Sequence, residues 1–402
     1  MSGHYNGKAV VLGLFDTGVA TIRCLARHGI AVEGYDYDPD MPGFRSGYCS
    51  SALCPNPGTD AAGLLRFLLK RGTAVKRKIL YPASDDFVLF VSGCRDALSE
   101  HYSFNLPPHS LIEKIADKAR QYELIEDLGL AVPVTLQVNS HEALSEQKDN
   151  IKYPVFIKPA CGHEWRRYFK VKGFEARNEK ELLDICGEIF LHNIHVVIQE
   201  IIPGPCSNNY EVSLYVDSGG EIAAEFTVQK LRQYPMDFGF GTLTVSAKNK
   251  EVETLSLKII KGLAWRGFAN IEFKYDERDS RYKFIELNAR VWQQVSHPEA
   301  LGINFPLICY YDLTQGAIEH RPLNRYQVNK KWIDLKWDTA SSLKAIRGKE
   351  LTLKSWLGSL RGAKAFGLFA ADDIRPFLYS MGYGRVFWKA LKFLKKLKLS
   401  RI

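Results

Sequence analysis

Three oxygen-bearing side chains, Glu272, Glu286 and Asn288, lie on two β-type segments separated by a polar turn. In Phe268-Ala-Asn-Ile-Glu272-Phe-Lys-Tyr275 the residues Ala269, Ile271, Phe273 and Tyr275 alternate onto one face, which sends Glu272 to the other. Asp276–Ser280 makes the turn, and Tyr282-Lys-Phe-Ile-Glu286-Leu-Asn288-Ala-Arg290 returns with Glu286, Asn288 and Arg290 on one face. Carboxylate and amide oxygens gathered in this way form a hard-cation site suited to Mg²⁺, which commonly takes substrate phosphates among its ligands. Arg290 beside them could hold an oxyanion. An exposed polar sheet face is the plain alternative.

Two lysines could serve the phosphates. Lys158 ends the apolar strand Tyr153-Pro-Val-Phe-Ile-Lys158 and precedes Pro159, so it has little freedom to wander and can present a point charge. Lys118 follows Asp117 on a helix expected to open at Ser110, where Ser110-Leu-Ile-Glu113 reads as a capping box, and to run to Leu128. Each lysine could equally reach water. Val196-Val-Ile-Gln-Glu200-Ile-Ile202-Pro-Gly204 is an apolar strand running into a turn. Its exit could offer backbone groups to a planar heterocycle, with Glu200 near a sugar hydroxyl.

The elements that would carry these residues begin with strand–helix–strand repetition. Lys8–Leu14, Ile30–Asp36 and Lys78–Tyr81 read as strands, with helices over Gly18–His28 and about Thr59–Arg71, which predicts a parallel α/β unit. The turn Gly13-Leu-Phe-Asp-Thr-Gly18 lacks the spacing of a dinucleotide site and reads as a tight strand–helix connection. From Tyr153 to Tyr282 strands dominate, with helices near Lys180–Leu191 and Glu251–Arg266.

The 402-residue length predicts two to three domains, and 25% charged with 46% apolar residues is ordinary for a globular chain. Net charge is +9, yet eight Lys/Arg and no acid fall between Ile374 and Ile402, which leaves +1 for the rest. A near-neutral body argues against a nucleic-acid partner. Tyr383–Ile402 carries a wide apolar arc among seven basic residues, as in a helix lying in the plane of an anionic membrane surface; a terminal helix packed on the body is the alternative. Eight scattered cysteines without Cys-x-x-Cys read as reduced, and the polar Met1–Lys8 as lacking a signal peptide, so a cytoplasmic protein, peripheral at the inner face of the membrane, is expected.

In this order, the pieces Asp117-Lys118, Phe-Ile-Lys158-Pro, Gln-Glu200-Ile-Ile-Pro-Gly, Ile-Glu272-Phe and Ile-Glu286-Leu-Asn288-Ala-Arg290 resemble the ATP-grasp superfamily of carboxylate–amine ligases. Lys230-Leu-Arg232-Gln-Tyr-Pro235 with Gly239-Phe-Gly241-Thr is similar to the D-aspartate ligase branch, which includes relatives associated with cell-surface polysaccharide synthesis. Trp337, Trp356 and Asp372-Asp373-Ile-Arg-Pro376 look like the tail of those relatives.

The resemblance implies an α/β fold with α+β character in the grasp. A Rossmann-like domain would occupy 1–109, the two grasp lobes 110–204 and 205–325, and a C-terminal helical basic extension 326–402. It implies ATP and Mg²⁺, with Mn²⁺ as a substitute, and small-molecule carboxylate and amine substrates. Lys118 and Lys158 would contact phosphates, Glu200 and Ile202 would line the adenine and ribose site, and Glu211 would make a further nucleotide contact. Glu272, Glu286 and Asn288 would hold the metal, and Arg290 would steady an acyl-phosphate. Arg232 and His297 join it as catalytic candidates, His297 to position or deprotonate the amine or merely as a loop residue. The family's Gly- and Ser-rich loop reads Ala160-Cys-Gly-His163-Glu-Trp-Arg166-Arg167 here, so it either closes with cationic side chains or docks a substrate. A catalytically degenerate ATP-binding protein and a biotin-carboxylase-like carboxylation are the competing readings.

Overall fold

A computed structural model describes residues 7–72, 77–159, 173–236, 239–315 and 325–382, with residues 165, 168, 169 and 171 between them. The first sheet contains β1 (Ala9–Leu12), β2 (Val32–Asp36), β3 (Cys49–Leu53), β4 (Lys78–Pro82) and β5 (Tyr102–Ser103), all parallel, in the order β3-β2-β1-β4-β5. The order reverses between β1 and β4, so a crevice opens at their carboxyl ends. The helices Asp16–Ala26 and Asp85–Gly93 both begin there. Between β1 and the first of these helices, Gly13 takes φ +96°, and a Cβ on Gly18 would lie 1.9 Å from the Gly13 carbonyl oxygen. Both glycines are therefore spent on the tight turn.

A four-stranded antiparallel sheet, β6 (Thr135–Val138), β7 (Val155–Pro159), β8 (Phe174–Ala176) and β9 (Val196–Glu200), runs in the order β6-β9-β7-β8. Val155, Ile157, Val196 and Ile198 bury one face beneath the helices His141–Gln147 and Glu179–Phe190, which leaves Phe156, Lys158 and Gln199 on the other. Asn178 caps the second helix by accepting from the Glu181 amide at 3.0 Å.

The third sheet contains β10 (Asn209–Val216), β11 (Ile222–Tyr234), β12 (Phe240–Ser246), β13 (Gly267–Asp276), β14 (Arg281–Asn288), β15 (Lys331–Ile333) and β16 (Ala363–Phe366), ordered β14-β13-β10-β11-β12-β15-β16. Val212, Leu214, Ala269, Ile271 and Phe273 are fully buried on one face against the helix Lys250–Gly262. The expected alternation of β13 therefore holds, with Glu272 opposite.

Two expectations need correction. The helix does not open with a Ser110 capping box or run unbroken to Leu128. It spans His109–Ala116, and Asp117 then caps a second helix, Lys118–Asp127, by accepting from the Ala119 and Arg120 amides at 3.0 and 3.3 Å. A short polar residue with a strong preference for capping outcompetes helix continuation there. The extension after residue 325 is not purely helical, because β15 and β16 lengthen the third sheet. Strand β3, whose Ser50 and Ser51 face solvent, and the helix Asp85–Gly93 were not anticipated. The seven described cysteines are free thiols. The basic segment Tyr383–Ile402 and most of the loop 160–167 lie outside the described residues. Among the described residues no helix is long and apolar enough to cross a membrane.

Candidate active site

The antiparallel register sets Glu211 of β10 opposite Glu272 of β13, and Glu272 opposite Glu286 of β14. A row of three glutamates thus crosses one sheet face. Two residues along, Ser213, Asn270 and Asn288 form a second polar row. This face looks toward Lys158 and Gln199 on the four-stranded sheet across a cleft of about 280 Å³, lined also by Lys118, Tyr122, Ile201 and Ile202. A second cavity of about 450 Å³ shares Gly239, Glu272 and Glu286 with the cleft and extends to Phe15, Thr17, Ser84 and Asp85 at the crevice of the parallel sheet.

Lys118 is brought to the cleft by its neighbour Gln121. That buried amide donates to the Ile115 and Leu287 carbonyls at 2.7 and 2.9 Å and accepts from the Leu287 amide at 3.1 Å, stitching the helix to β14. Lys118 Nζ pairs there with Glu286 Oε1. Burial raises the Glu286 pKa, but Lys118 more than offsets this and holds the carboxyl below its ordinary value. Lys158 donates to Gln199 Oε1 at 3.1 Å. Burial, reinforced by Lys118, lowers its pKa to about 8.

Lys230 is 1% exposed and lies 2.6 Å from Glu272 and 3.6 Å from Glu211. Burial would lower its pKa, yet the two carboxylates prevail and hold it above the ordinary value. Arg290 donates to Asp85 at 2.8 Å and approaches Asn288 Oδ1 at 3.5 Å. Glu272, Glu286 and Asn288 form an oxygen donor set on adjacent strands, the kind of ligation a hard divalent cation takes. Each of the two carboxylates now carries a lysine, so a cation would exchange for ammonium groups that phosphates could accept in turn.

Three further expected residues border the two cavities. Glu200 borders the cleft, but its side chain is 1% exposed and accepts from Arg278 at 2.5 Å and the Val134 amide at 3.1 Å, with Lys283 at 3.5 Å. Its carboxylate is committed to this network. Ile202 is a buried apolar wall of the cleft. Glu211 borders the second cavity, and burial raises its pKa.

Arg232 is not in either cavity. It grips Asp338 through Nε and Nη2 at 2.8 Å each and donates to Ser359 at 2.8 Å. The β11–β12 register slips between Lys230 and Arg232, so a bulge breaks the alternation that would have put both on one face. His297 is fully buried, with Nε2 2.9 Å from the Lys330 carbonyl oxygen and Nδ1 3.4 Å from Thr244 Oγ1. Burial lowers its pKa to about 4, so the imidazole is neutral and sealed away from the cleft. Lys230, Asn270, Asp85, Gln199 and Gln294 line the cavities and were not anticipated as site residues. Asn270 was within reach, because it shares the parity of Glu272.

Residues 241–307 match the family model described as carbamoyl-phosphate synthase L chain, ATP binding domain. A D-aspartate ligase of Enterococcus faecium (strain Aus0004) is 28% identical over 229 residues, 54% of this chain and 53% of the relative. The chain thus spans about half the length of that relative. N5-carboxyaminoimidazole synthetase from Staphylococcus aureus, complexed with ADP, superposes with a TM-score of 0.62 at 14% identity, over 81% of this chain and 80% of that one. An L-amino acid ligase from Bacillus licheniformis gives 0.57 at 15%, over 77% and 74%. The fold is that of these solved synthetases and ligases. In sequence, the chain is similar to the Enterococcus D-aspartate ligase.

Proposed function

We propose that this chain is an ATP-dependent carboxylate–amine ligase, forming an amide through an acyl-phosphate with release of ADP and phosphate. The observation that carries the reading is the convergence of Lys118, Lys158 and the Glu272–Glu286 pair on one cleft that opens into a second cavity. The cleft suits a nucleotide, with Ile202 and Tyr122 as apolar walls and the lysines at the phosphate end. Glu272, Glu286 and Asn288 would hold Mg²⁺, which when bound neutralises phosphate charge. The second cavity would hold the acid and the amine.

The substrate carboxylate oxygen attacks the γ-phosphorus and the bond to the ADP oxygen breaks. Lys118, Lys158 and Arg290 offset the charge on the transferring group. The amine nitrogen then attacks the acyl carbon, loses a proton and expels phosphate. Arg232 and His297 take no part, for the reasons of position given above. The relative named D-aspartate ligase supports a small amino acid as one substrate. A cell-envelope or lipid-linked precursor as the other, reached from the membrane through the basic segment 383–402, is part of the same proposal. Flotation with anionic vesicles tests that part, and binding unchanged by removal of 383–402 would refute it.

ADP formation across a panel of acids and amines with Mg²⁺ tests the ligase. Formation that needs both an acid and an amine is the expected result. Formation with bicarbonate alone would favour carboxylation, and no formation across the panel would favour a nucleotide-binding protein without ligase chemistry.

A further inference from the structure

Gln294 is 4% exposed and lines the second cavity, yet its side-chain amide makes no hydrogen bond among the described residues. Its neighbour Gln293 is satisfied, donating to Asp334 at 2.9 Å. Asn270, 6% exposed on the same cavity wall, donates to Ser213 at 3.0 Å and approaches Glu211 at 3.5 Å, while its Oδ1 accepts nothing among the described residues. Both amides turn polar atoms without a protein partner onto the same cavity wall, which is a reason to look for what they bind.

The backbone is shaped to admit them. A Cβ on Gly241 would come within 2.9 Å of Thr244 Cγ2, 3.1 Å of Lys230 Cγ and 3.2 Å of Gln294 Nε2, so the strand passes beneath both side chains only as glycine. The charges around the cavity complete the specification. Arg290 offers a cation near its rim, while Asp85, Asn270 Oδ1 and the Gln294 carbonyl offer acceptors. A ligand matching them carries a carboxylate and, beside it, a hydrogen-bond donor.

Resting on the ligase reading of this cavity, we propose that Gln294 and Asn270 are the specificity-determining residues of the acid site, and that the acid is an amino or hydroxy acid whose donor substituent they read. A site built around such a bond rejects analogues lacking the group far more strongly than an apolar pocket rejects a missing methylene.

The test uses the full chain with Mg²⁺ and a non-hydrolysable ATP analogue. It measures binding of each enantiomer of aspartate and malate, with succinate as the analogue that lacks the substituent. The wild type should prefer one amino or hydroxy acid to succinate by roughly tenfold or more. Gln294→Leu should erase that preference without lowering the melting temperature of the ligand-free protein, because the amide has no partner to lose. A preference that survives in Gln294→Leu, a wild type indifferent to the substituent, or no binding of any member would overturn the proposal. If Gln294→Leu does not fold, Gln294→Met decides, since it keeps the length of the side chain and removes the amide: loss of preference supports the assignment and its retention refutes it. Measured alongside, selective binding without ADP formation from ATP would contradict the ligase reading and leave this assignment standing. ADP formation with selectivity unchanged in the variants would do the reverse.

Discussion

Arg290 and Arg232 look alike in the sequence, each an arginine at the end of a strand near acidic and aromatic neighbours, and the structure gives them opposite employments. Arg290 meets Asp85, a carboxylate whose side chain is 62% exposed, at the rim of a cavity. Arg232 grips Asp338, whose side chain is 1% exposed and also accepts from Thr242 at 3.1 Å and Trp356 at 2.9 Å. The same contrast separates two whole regions. In the cleft, Lys118–Glu286 and Lys230–Glu272 adjoin open volume, so the partners can be exchanged for a cation and phosphates. Where the C-terminal segment meets the first helix, Asp373 accepts from Arg23 at 3.1 Å, Ser46 at 2.8 Å and the Gly47 amide at 3.0 Å, which fastens the two together. A carboxylate whose lone pairs are all taken by protein donors acts as a fastening.

The comparison can be broken by measuring activity and stability together. Lys158→Met removes a proposed phosphate contact from an open cleft and should lower ADP formation by roughly 10²–10³-fold while leaving the urea midpoint nearly unchanged. Asp338→Ala should do the opposite. It strands Arg232 and two further donors, which should cost roughly 3–5 kcal/mol of unfolding free energy and leave kcat of the folded fraction close to wild type.

His297 sharpens the contrast through pH. Its folded pKa is lowered from 6.5 to about 4, so the unfolded chain takes up a proton that the native state refuses. The stability held by the neutral ring is full above pH 6.5 and falls as pH drops toward 4, by roughly 3 kcal/mol at the limit. Denaturant melts of wild type and His297→Asn across this range should show a shallower acid loss in the variant, and pH–rate profiles between 6 and 8 should coincide. The smallest effect belongs to Asp85→Asn. An exposed partner of Arg290 should contribute under about 1 kcal/mol to stability and raise KM for the acid a few-fold.

Much of the cleft was legible because it is written in period two. Alternation placed Glu272 opposite the buried Ile271 and Phe273, and the polar turn Asp276–Ser280 implied that β14 returns beside β13. The lysine ending β7 was legible for the same reason. What the sequence concealed was any departure from the period. The bulge after Lys230 turned Arg232 away from the cleft, and Asp117 broke a helix that the apolar stripe carried straight through. The surroundings of His297 and Glu200 were hidden for another reason. Burial depends on elements distant in the chain, Lys330 for one and Arg278 with Lys283 for the other, and no local pattern announces those meetings.

The central claim is that the row on β13 and β14 serves a cation and ATP phosphates in ligation. Amine-dependent ADP release by Glu286→Ala, measured with saturating ATP and Mg²⁺ on protein whose melting temperature matches wild type, tests it most directly. The account predicts that release is abolished. Turnover close to wild type would contradict it.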